Sequence, residues 1–331
     1  MTDITDTTKA NAGCVYSYLL DGQGGGRELT WQELTVWNAA QGTVWMHLDR
    51  MNPASQEWIR NDSGLDPLVA EALLAEETRP RAFPFRDGVV VILRGVNLNK
   101  GFDPEDMVSV RVWIDPHRVI TLRHRRLLAA HDIRESLVSR TGPEDSGSFL
   151  VMLAEQLVER MAPVINDLEE LTDDYEDQMV EEANPDLRSQ LAQLRRQVIG
   201  FRRHLAPQRD VLAWLHARPG DWGGAGHEAS VREAANHLIR FVEELDAIRE
   251  RAGVMQEELA GKLAQRTTNI MYLLTILSGV FLPLMFLTGL LGVNVGGIPG
   301  SQHPWGFAIV CGILAVIVLA QVVVFRRLKW I

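Results

Sequence analysis

Residues 270–293 read IMYLLTILSGVFLPLMFLTGLLGV, and residues 305–325 read WGFAIVCGILAVIVLAQVVVF. Neither run contains Asp, Glu, Lys, Arg or His. At about 1.5 Å per residue, each run covers roughly 30 Å as a helix, which is the thickness of the hydrocarbon core of a bilayer. The two runs therefore predict two transmembrane helices, and they exclude a purely soluble protein.

Basic residues flank the two spans on one side only. Lys262 and Arg266 precede the first span, Arg326 and Arg327 follow the second, and the connection between the spans has no Lys or Arg. Because positively charged flanks stay in the cytoplasm, we expect both termini there, with segment 294–304 as a periplasmic loop and 326–331 as a basic cytoplasmic tail. Segment 1–13 is polar, has no signal-peptide pattern and is expected to be disordered.

The charged residues are unevenly distributed along the chain. The whole sequence of 331 residues has a formal net charge of −10. Segment 151–190 contains twelve Asp and Glu against two Arg, and segment 191–218 contains six Arg against one Asp. We expect two helices of opposite sign that pack side by side. Cys14 and Cys311 lie far apart and give neither a disulfide framework nor a metal-ligand spacing.

The polar region before the spans divides by its local pattern. Short β-type runs alternate with helical stretches over 14–141, which predicts a mixed α and β domain. The predicted strands are Cys14–Leu20, Val44–Leu48, Gly88–Leu98, Met107–Ile114 and Arg118–Leu122. The predicted helices of this domain are Trp31–Asn38, Ser55–Ser63, Pro67–Ala75 and Arg126–Arg140.

Helix-forming residues dominate from 142 onward. Segment 142–226 predicts an acidic and basic helical hairpin with arms at 148–182 and 186–217, which Pro163 and Pro207 interrupt. Segment 227–269 predicts a stalk helix that runs into the first span at 270–293. One continuous helix over these residues would be about 96 Å long.

The stalk carries an apolar stripe with heptad spacing. This heptad seam consists of Phe241, Leu245, Ile248, Ala252, Met255 and Leu259. Such a seam needs a partner helix. It packs either against the hairpin of its own chain or against identical helices around a symmetry axis.

The connection between the spans is the most informative stretch for function. Two spans cannot enclose an aqueous path, so conduction requires a closed oligomer, whereas a simple anchor needs nothing special in the connection. The connection begins Gly292-Val293-Asn294 and continues with several Gly and Pro residues. One ring of Asn294 amides and helix-end carbonyls would offer uncharged oxygen ligands to a hydrated cation. Alternatively, Asn294 only ends the helix.

These residues resemble a known signature. Gly292-Val293-Asn294 stands at the end of the first of two C-terminal spans, where the CorA superfamily of divalent-cation transporters carries Gly-Met-Asn, and the following Gly-Gly-Ile-Pro-Gly looks like its zinc-transporting ZntB branch. The resemblance covers nearly the whole chain. It implies a homopentameric funnel in the lipid bilayer of the bacterial inner membrane. The first span lines the pore, Zn²⁺ is the transported ion, and no cofactor is implied. Mg²⁺, Co²⁺, Ni²⁺ and Cd²⁺ are further candidate ions, although Val293 and the absence of acids in the loop argue against Mg²⁺.

One face of the first span is expected to line the pore. Counting back from Asn294 at helical spacing gives this pore face, which consists of Met271, Leu274, Ser278, Leu282, Met285 and Gly289. The face is mostly apolar, so the ion should cross with its water shell, and narrowing of the Leu and Met rings would close the path by dewetting. The alternative is that these side chains simply pack helix against helix.

Other residues could hold or attract cations outside the membrane. Stalk acids that face the axis would attract cations, although charges beside a heptad seam usually bridge neighbouring helices. The candidates are Glu243, Asp246, Glu250 and Glu257. Histidines are the commonest zinc ligands, but none of those in this chain has zinc-site spacing. The candidate metal ligands are His303 in the loop and His216, His227 and His237 near the helical region.

The sequence also disfavours several classes of function. It has no Walker-type loop, no nucleophile elbow and no recognisable catalytic carboxylate pair, so we do not expect an enzyme. No nucleic-acid partner is expected, because the one Arg-rich segment is assigned to the acidic arm. The prediction is transport of a divalent cation, with Zn²⁺ as the principal ion. The alternatives are a CorA-type Mg²⁺/Co²⁺ channel and, in a different class, a membrane-anchored cytoplasmic sensor or scaffold.

Overall fold

The computed structural model describes residues 13–76, 78–181, 185–293 and 303–327. The chain divides into two compact units, one that ends at Gln256 and one that runs over Glu257–Ile331. The first unit contains a β-sheet and most of the helices. The second contains the two apolar runs.

The sheet of the first unit has seven strands. Its order is β2-β1-β3-β7-β6-β5-β4, in which β3 and β7 pair in parallel and all other neighbours pair antiparallel. The strands are β1 (Cys14–Leu20), β2 (Gly26–Glu28), β3 (Val44–Asp49), β4 (Arg81–Phe85), β5 (Gly88–Gly95), β6 (Val108–Asp115) and β7 (Arg118–Arg123).

Nine helices accompany the strands in the described ranges of the chain. They are α1 (Trp31–Val36), α2 (Pro53–Asn61), α3 (Pro67–Leu74), α4 (Leu128–Val138), α5 (Ser146–Glu159), α6 (Ala162–Glu181), α7 (Pro185–Ala217), α8 (Glu228–Leu291) and α9 (Gly306–Arg327). Short 3₁₀ turns occupy Ala39–Gln41 and Pro219–Asp221. The mixed α and β domain followed by long helices is the predicted fold class.

The middle of the sheet is covered on both faces. Val89–Leu93 of β5 form a continuous run of side chains with 0% exposure, and α3 and α5 both contact this strand. A strand buried on both faces reads as an unbroken apolar run, which is why the sequence identifies it. The sequence missed β2 and β4. The first has three residues, and the second contains Pro84 and lies at the sheet edge, where proline is tolerated.

The acidic arm over 148–182 is interrupted beside Pro163, as predicted, whereas the predicted interruption of the basic arm at Pro207 is wrong. The acidic arm consists of α5 and α6, which are separated at Arg160 and Met161. Pro163 lies in the first turn of α6, where a missing backbone N–H removes no helical hydrogen bond, so it marks a helix start rather than a bend. Pro207 lies inside α7, which continues to Ala217.

The heptad seam is buried inside the chain. Phe241, Leu245, Ile248, Ala252 and Met255 are each at most 2% exposed. A seam that packs against identical chains would be exposed in a single chain. The structure therefore confirms the alternative in which the seam packs within its own chain.

The charged arms of the hairpin are linked through α8. Arg251 of α8 contacts Asp173 of α6 at 2.5 Å and Glu176 of α6 at 2.8 Å, while Arg202 of α7 lies 2.6 Å from Asp246 of α8. The expected side-by-side contact of the two arms is present, because α6 and α7 contact each other, and α8 adds ion pairs to both. A third helix carries the opposite charges to both arms.

The second unit contains two helices that are long and apolar enough to cross a membrane. The predicted continuous helix is confirmed, because α8 runs over 64 residues from Glu228 to Leu291 and includes Pro283. The second such helix is α9, with 22 residues. Arg326 and Arg327 form its last turn.

Candidate functional site

The predicted pore face is uncovered in the single chain. Leu282 is 65% exposed and Met285 is 67% exposed, and the other four residues of the face are exposed as well. Apolar side chains in this number need a covering, which lipid or another protein surface can supply.

A different face of α8 packs against α9. We call it the packing face, and it consists of the half-buried residues Ile276, Val280, Leu284 and Leu287. Next to it, a Cβ built on Gly279 would lie 3.1 Å from Cζ of Phe325, and Nε2 of Gln321 donates a hydrogen bond of 3.1 Å to the carbonyl oxygen of Gly279. The small residue lets the two helices approach closely, and the amide ties them together.

The pore face and the packing face lie on opposite sides of α8. At about 100° per residue, most of the packing face lies roughly 160–180° around the helix from the centre of the pore face. The half-buried residues therefore lie on the far side of the helix, and Gly279, which contacts α9, lies at the edge of that side, roughly 100° from the centre of the pore face. Within this unit, α9 leaves the pore face free for another partner.

Two threonines of the first span bond to their own helix. The hydroxyl of Thr275 donates to the carbonyl oxygen of Met271 at 2.8 Å, and the hydroxyl of Thr288 donates to the carbonyl oxygen of Leu284 at 2.9 Å. These bonds hold both threonine side chains against the preceding turn of α8.

The signature lies partly outside the described residues. The amide of Gly292 donates to the carbonyl oxygen of Thr288 at 2.9 Å, which continues the helical ladder to the end of α8, and Val293 is exposed. Asn294 and residues 295–302 are not among the described residues, so the ring of amides stays a prediction. Beyond them, Nδ1 of His303 accepts a hydrogen bond of 3.2 Å from the amide of Trp305.

The predicted cation-attracting acids differ in their surroundings. Glu243, Glu250 and Glu257 are exposed. Asp246 instead lies 2.6 Å from Arg202 and 3.4 Å from Arg249. Two guanidinium groups offset its charge, so Asp246 attracts cations less than the other three.

The other candidate histidines are not brought together into a metal site. Nδ1 of His216 lies 3.1 Å from the carbonyl oxygen of Glu228, and Nε2 of His237 lies 3.5 Å from a carboxylate oxygen of Glu233. His227 is half-buried. In the described residues there is no group of three or more His, Cys, Asp or Glu that could hold a metal ion.

Sequence reasoning overlooked Gln321. It is the one amide side chain within the second apolar run. A strongly polar residue in a span usually bonds to a neighbouring helix, and this rule would have pointed to its contact with α8.

Comparisons with known proteins identify the family of the chain. The family model of CorA-like Mg²⁺ transporter proteins matches residues 40–327. A divalent cation transporter, CmaX of Pseudomonas aeruginosa, is 41% identical over 96% of this chain and 97% of its own length. The zinc transport protein ZntB of Yersinia enterocolitica is 36% identical over 96% of each chain.

Solved structures share the fold. The structure of full-length CmaX aligns with a TM-score of 0.86 over 97% of this chain and 99% of that one. The CorA magnesium transporter of Methanocaldococcus jannaschii, at 17% identity, aligns with a TM-score of 0.79 over 96% of this chain and 99% of that one. The resemblance based on residues 292–294 is confirmed, and the chain belongs to the family of CorA-like Mg²⁺ transporter proteins.

Proposed function

We propose that this protein transports divalent metal cations, with Zn²⁺ as the principal ion, across the bacterial inner membrane. The ion passes hydrated through a pore at the centre of a homopentamer, and no catalytic step is involved. Both termini lie in the cytoplasm, where the basic residues that flank the spans would hold them.

One observation carries the proposal. The helix α9 covers the side of α8 opposite to the pore face, and Leu282 and Met285 are left exposed. A helix that packs outward against its own second span can turn its free face toward a symmetry axis. Five copies of α8 then surround the path, and five copies of α9 form an outer ring.

The ion is selected at the outer entrance in this proposal. The ring of Asn294 amides and helix-end carbonyls around it binds water of the hydrated ion rather than the ion itself. The apolar pore face below the ring supplies the gate, because a narrow ring of Leu and Met side chains excludes water.

The choice of Zn²⁺ rests on the signature and on the relatives. Val293 stands where magnesium-type members have Met, and residues 294–304 contain no acid. Relatives named zinc transport protein are 36% identical to this chain, and another relative is named divalent cation transporter. Co²⁺, Ni²⁺ and Cd²⁺ are the expected competing ions, and a CorA-type Mg²⁺/Co²⁺ channel is the alternative.

The test is flux through purified protein in proteoliposomes. We expect Zn²⁺ entry that a fluorescent indicator detects, and we expect Asn294→Ala to abolish it while the oligomer stays intact on size-exclusion chromatography. Val293→Met is the matched control in the same signature, and it should retain flux. Unchanged Zn²⁺ and Co²⁺ flux in Asn294→Ala would remove that residue from the mechanism.

A competition assay separates Zn²⁺ from Mg²⁺ as the principal ion. Excess Mg²⁺ should leave Zn²⁺ entry largely intact if the proposal holds. Block of Zn²⁺ entry by equimolar Mg²⁺ would favour the magnesium-type alternative. An absence of flux for every divalent ion would favour a membrane-anchored sensor or scaffold.

A further inference from the structure

A basic cavity lies in the first unit between the sheet and α7. It encloses about 420 Å³. Five arginines line the cavity. They come from β5, β6, α7 and the ends of β3 and β7, so they are distant from one another in the sequence. They are Arg50, Arg94, Arg111, Arg125 and Arg203.

Two of these arginines are buried. Arg111 is 1% exposed and Arg50 is 7% exposed. Each uses part of its guanidinium group on the end of α3, since Nη2 of Arg111 donates to the carbonyl oxygen of Ala75 at 2.8 Å and Nη1 of Arg50 donates to that of Leu74 at 3.2 Å. Nε and Nη1 of Arg111 and Nε of Arg50 are buried and find no hydrogen-bond partner among the described residues.

Capping of α3 does not account for these free donors. The last carbonyls of a helix attract cations, which explains why the two guanidinium groups lie there. It leaves three guanidinium nitrogens without an acceptor, and an unsatisfied buried donor costs about 1–3 kcal/mol, or more when it is charged. A ligand with several acceptor oxygens would satisfy them.

The charges of the cavity point to the same kind of ligand. Neither Arg50 nor Arg111 has a carboxylate within ion-pair distance among the described residues, and burial, Arg50 and Arg94 together lower the pKa of Arg111 to about 10. Arginines at the rim extend the positive surface. Arg203 is exposed on α7, and Arg125 is exposed and stacks 4.2 Å from the ring centre of Phe102.

We propose that the basic cavity binds a small phosphate-bearing anion, with Arg111 and Arg50 on its floor and Arg125 and Arg203 at its rim. Guanidinium groups match the geometry of phosphate oxygens and bind them in pairs. The volume lies in the range of small-molecule sites, which suits inorganic phosphate or a nucleoside monophosphate. Glu76, Glu105 and Asp106 also line the cavity and limit the negative charge that it accepts.

The test uses the full-length protein, purified in detergent without phosphate or sulfate. Thermal unfolding and isothermal titration calorimetry are measured with inorganic phosphate, AMP and chloride at equal ionic strength. We expect saturable stabilisation by phosphate or AMP and none by chloride. Tighter binding of AMP would identify an organic ester as the ligand, and equal binding would identify the phosphate group alone as the recognised part.

Variants of the exposed rim arginines test binding without removing a buried side chain on which folding could depend. Arg203→Gln and Arg125→Gln should each weaken binding by about tenfold, since each removes a charge-assisted hydrogen bond. Arg209→Gln is the matched control on the same helix, because Arg209 pairs with Asp210 and does not line the cavity. Stabilisation by phosphate no greater than by chloride would overturn the proposal. Unchanged affinity in both rim variants would overturn it as well.

Discussion

Enlarging Gly279 should separate the two apolar helices of the second unit. A Cβ at this position would lie 3.1 Å from Cζ of Phe325 and 3.8 Å from its Cε1. Phe325 is itself 9% exposed, so its ring has little room on this side. Gly279→Ala adds only the Cβ, which a movement of a few tenths of an ångström accommodates. Gly279→Leu adds a branched side chain for which the helix contact has no space.

The expected cost of the leucine variant is about 2 kcal/mol. Overpacking of a close contact typically costs about 1–3 kcal/mol. Movement of α9 also breaks the bond from Gln321 to the Gly279 carbonyl, and such bonds in membranes average about 0.6 kcal/mol. A cost of about 2 kcal/mol lowers the equilibrium constant for packing of α8 against α9 by roughly thirtyfold. Gly279→Ala should cost less than about 1 kcal/mol.

Unfolding in mixed detergent micelles measures this cost. The purified protein is titrated with sodium dodecyl sulfate, and the midpoint is compared with that of the unsubstituted chain. Gly312→Leu is the matched control, because nothing lies within 4 Å of a Cβ built on Gly312 of α9. Equal midpoints for Gly279→Leu and Gly312→Leu would refute the packing that leaves the pore face free.

Three further predictions concern the first unit. Burial lowers the pKa of His47 from its ordinary value of 6.5 to about 3, so the unfolded chain takes up a proton at a higher pH than the folded chain. The free energy of unfolding should therefore decrease by about 2 kcal/mol from pH 6.5 to pH 5. Denaturant titrations measure this decrease, and an equally steep decrease in His47→Gln would contradict the assignment to His47. The hydroxyl of Thr121 accepts the indole N–H of Trp45 at 2.9 Å and lies 2.8 Å from Nδ1 of His47. Thr121→Val removes this hydroxyl and should lower the free energy of unfolding by about 1–3 kcal/mol in the same titration. An unchanged midpoint would argue against the buried bond. Arg251→Gln removes the partially exposed ion pairs with Asp173 and Glu176. It should lower the free energy of unfolding by no more than about 1 kcal/mol, and by less in high salt. A decrease that does not depend on salt would indicate lost packing instead.

The sequence was sufficient where one local pattern determines the structure. The apolar runs identify the two long helices, and unbroken Val and Ile runs identify the central strands. It was insufficient where tertiary contacts decide. The edge strand with Pro84 exists because β5 pairs with it, and α7 continues through Pro207 although the arm with Pro163 divides at Arg160 and Met161.

The candidate site shows the same division. Helical spacing alone predicts the pore face, because one turn repeats along the helix. Spacing does not reveal that Asp246 is offset by Arg202, since the two residues belong to different helices. Nor does it reveal the basic cavity, whose floor joins Arg50, just after β3, and Arg111 of β6.

In the proposed pentamer, the pore face surrounds the ion path while the packing face points away from it. Cys14 and Cys311 are replaced to give a cysteine-free protein, and Leu282→Cys or Leu284→Cys is then introduced. A charged methanethiosulfonate reagent is added to proteoliposomes during Zn²⁺ flux. We expect the reagent to stop flux through Leu282→Cys and to leave flux through Leu284→Cys unchanged. Block of Leu284→Cys with no effect on Leu282→Cys would contradict this expectation.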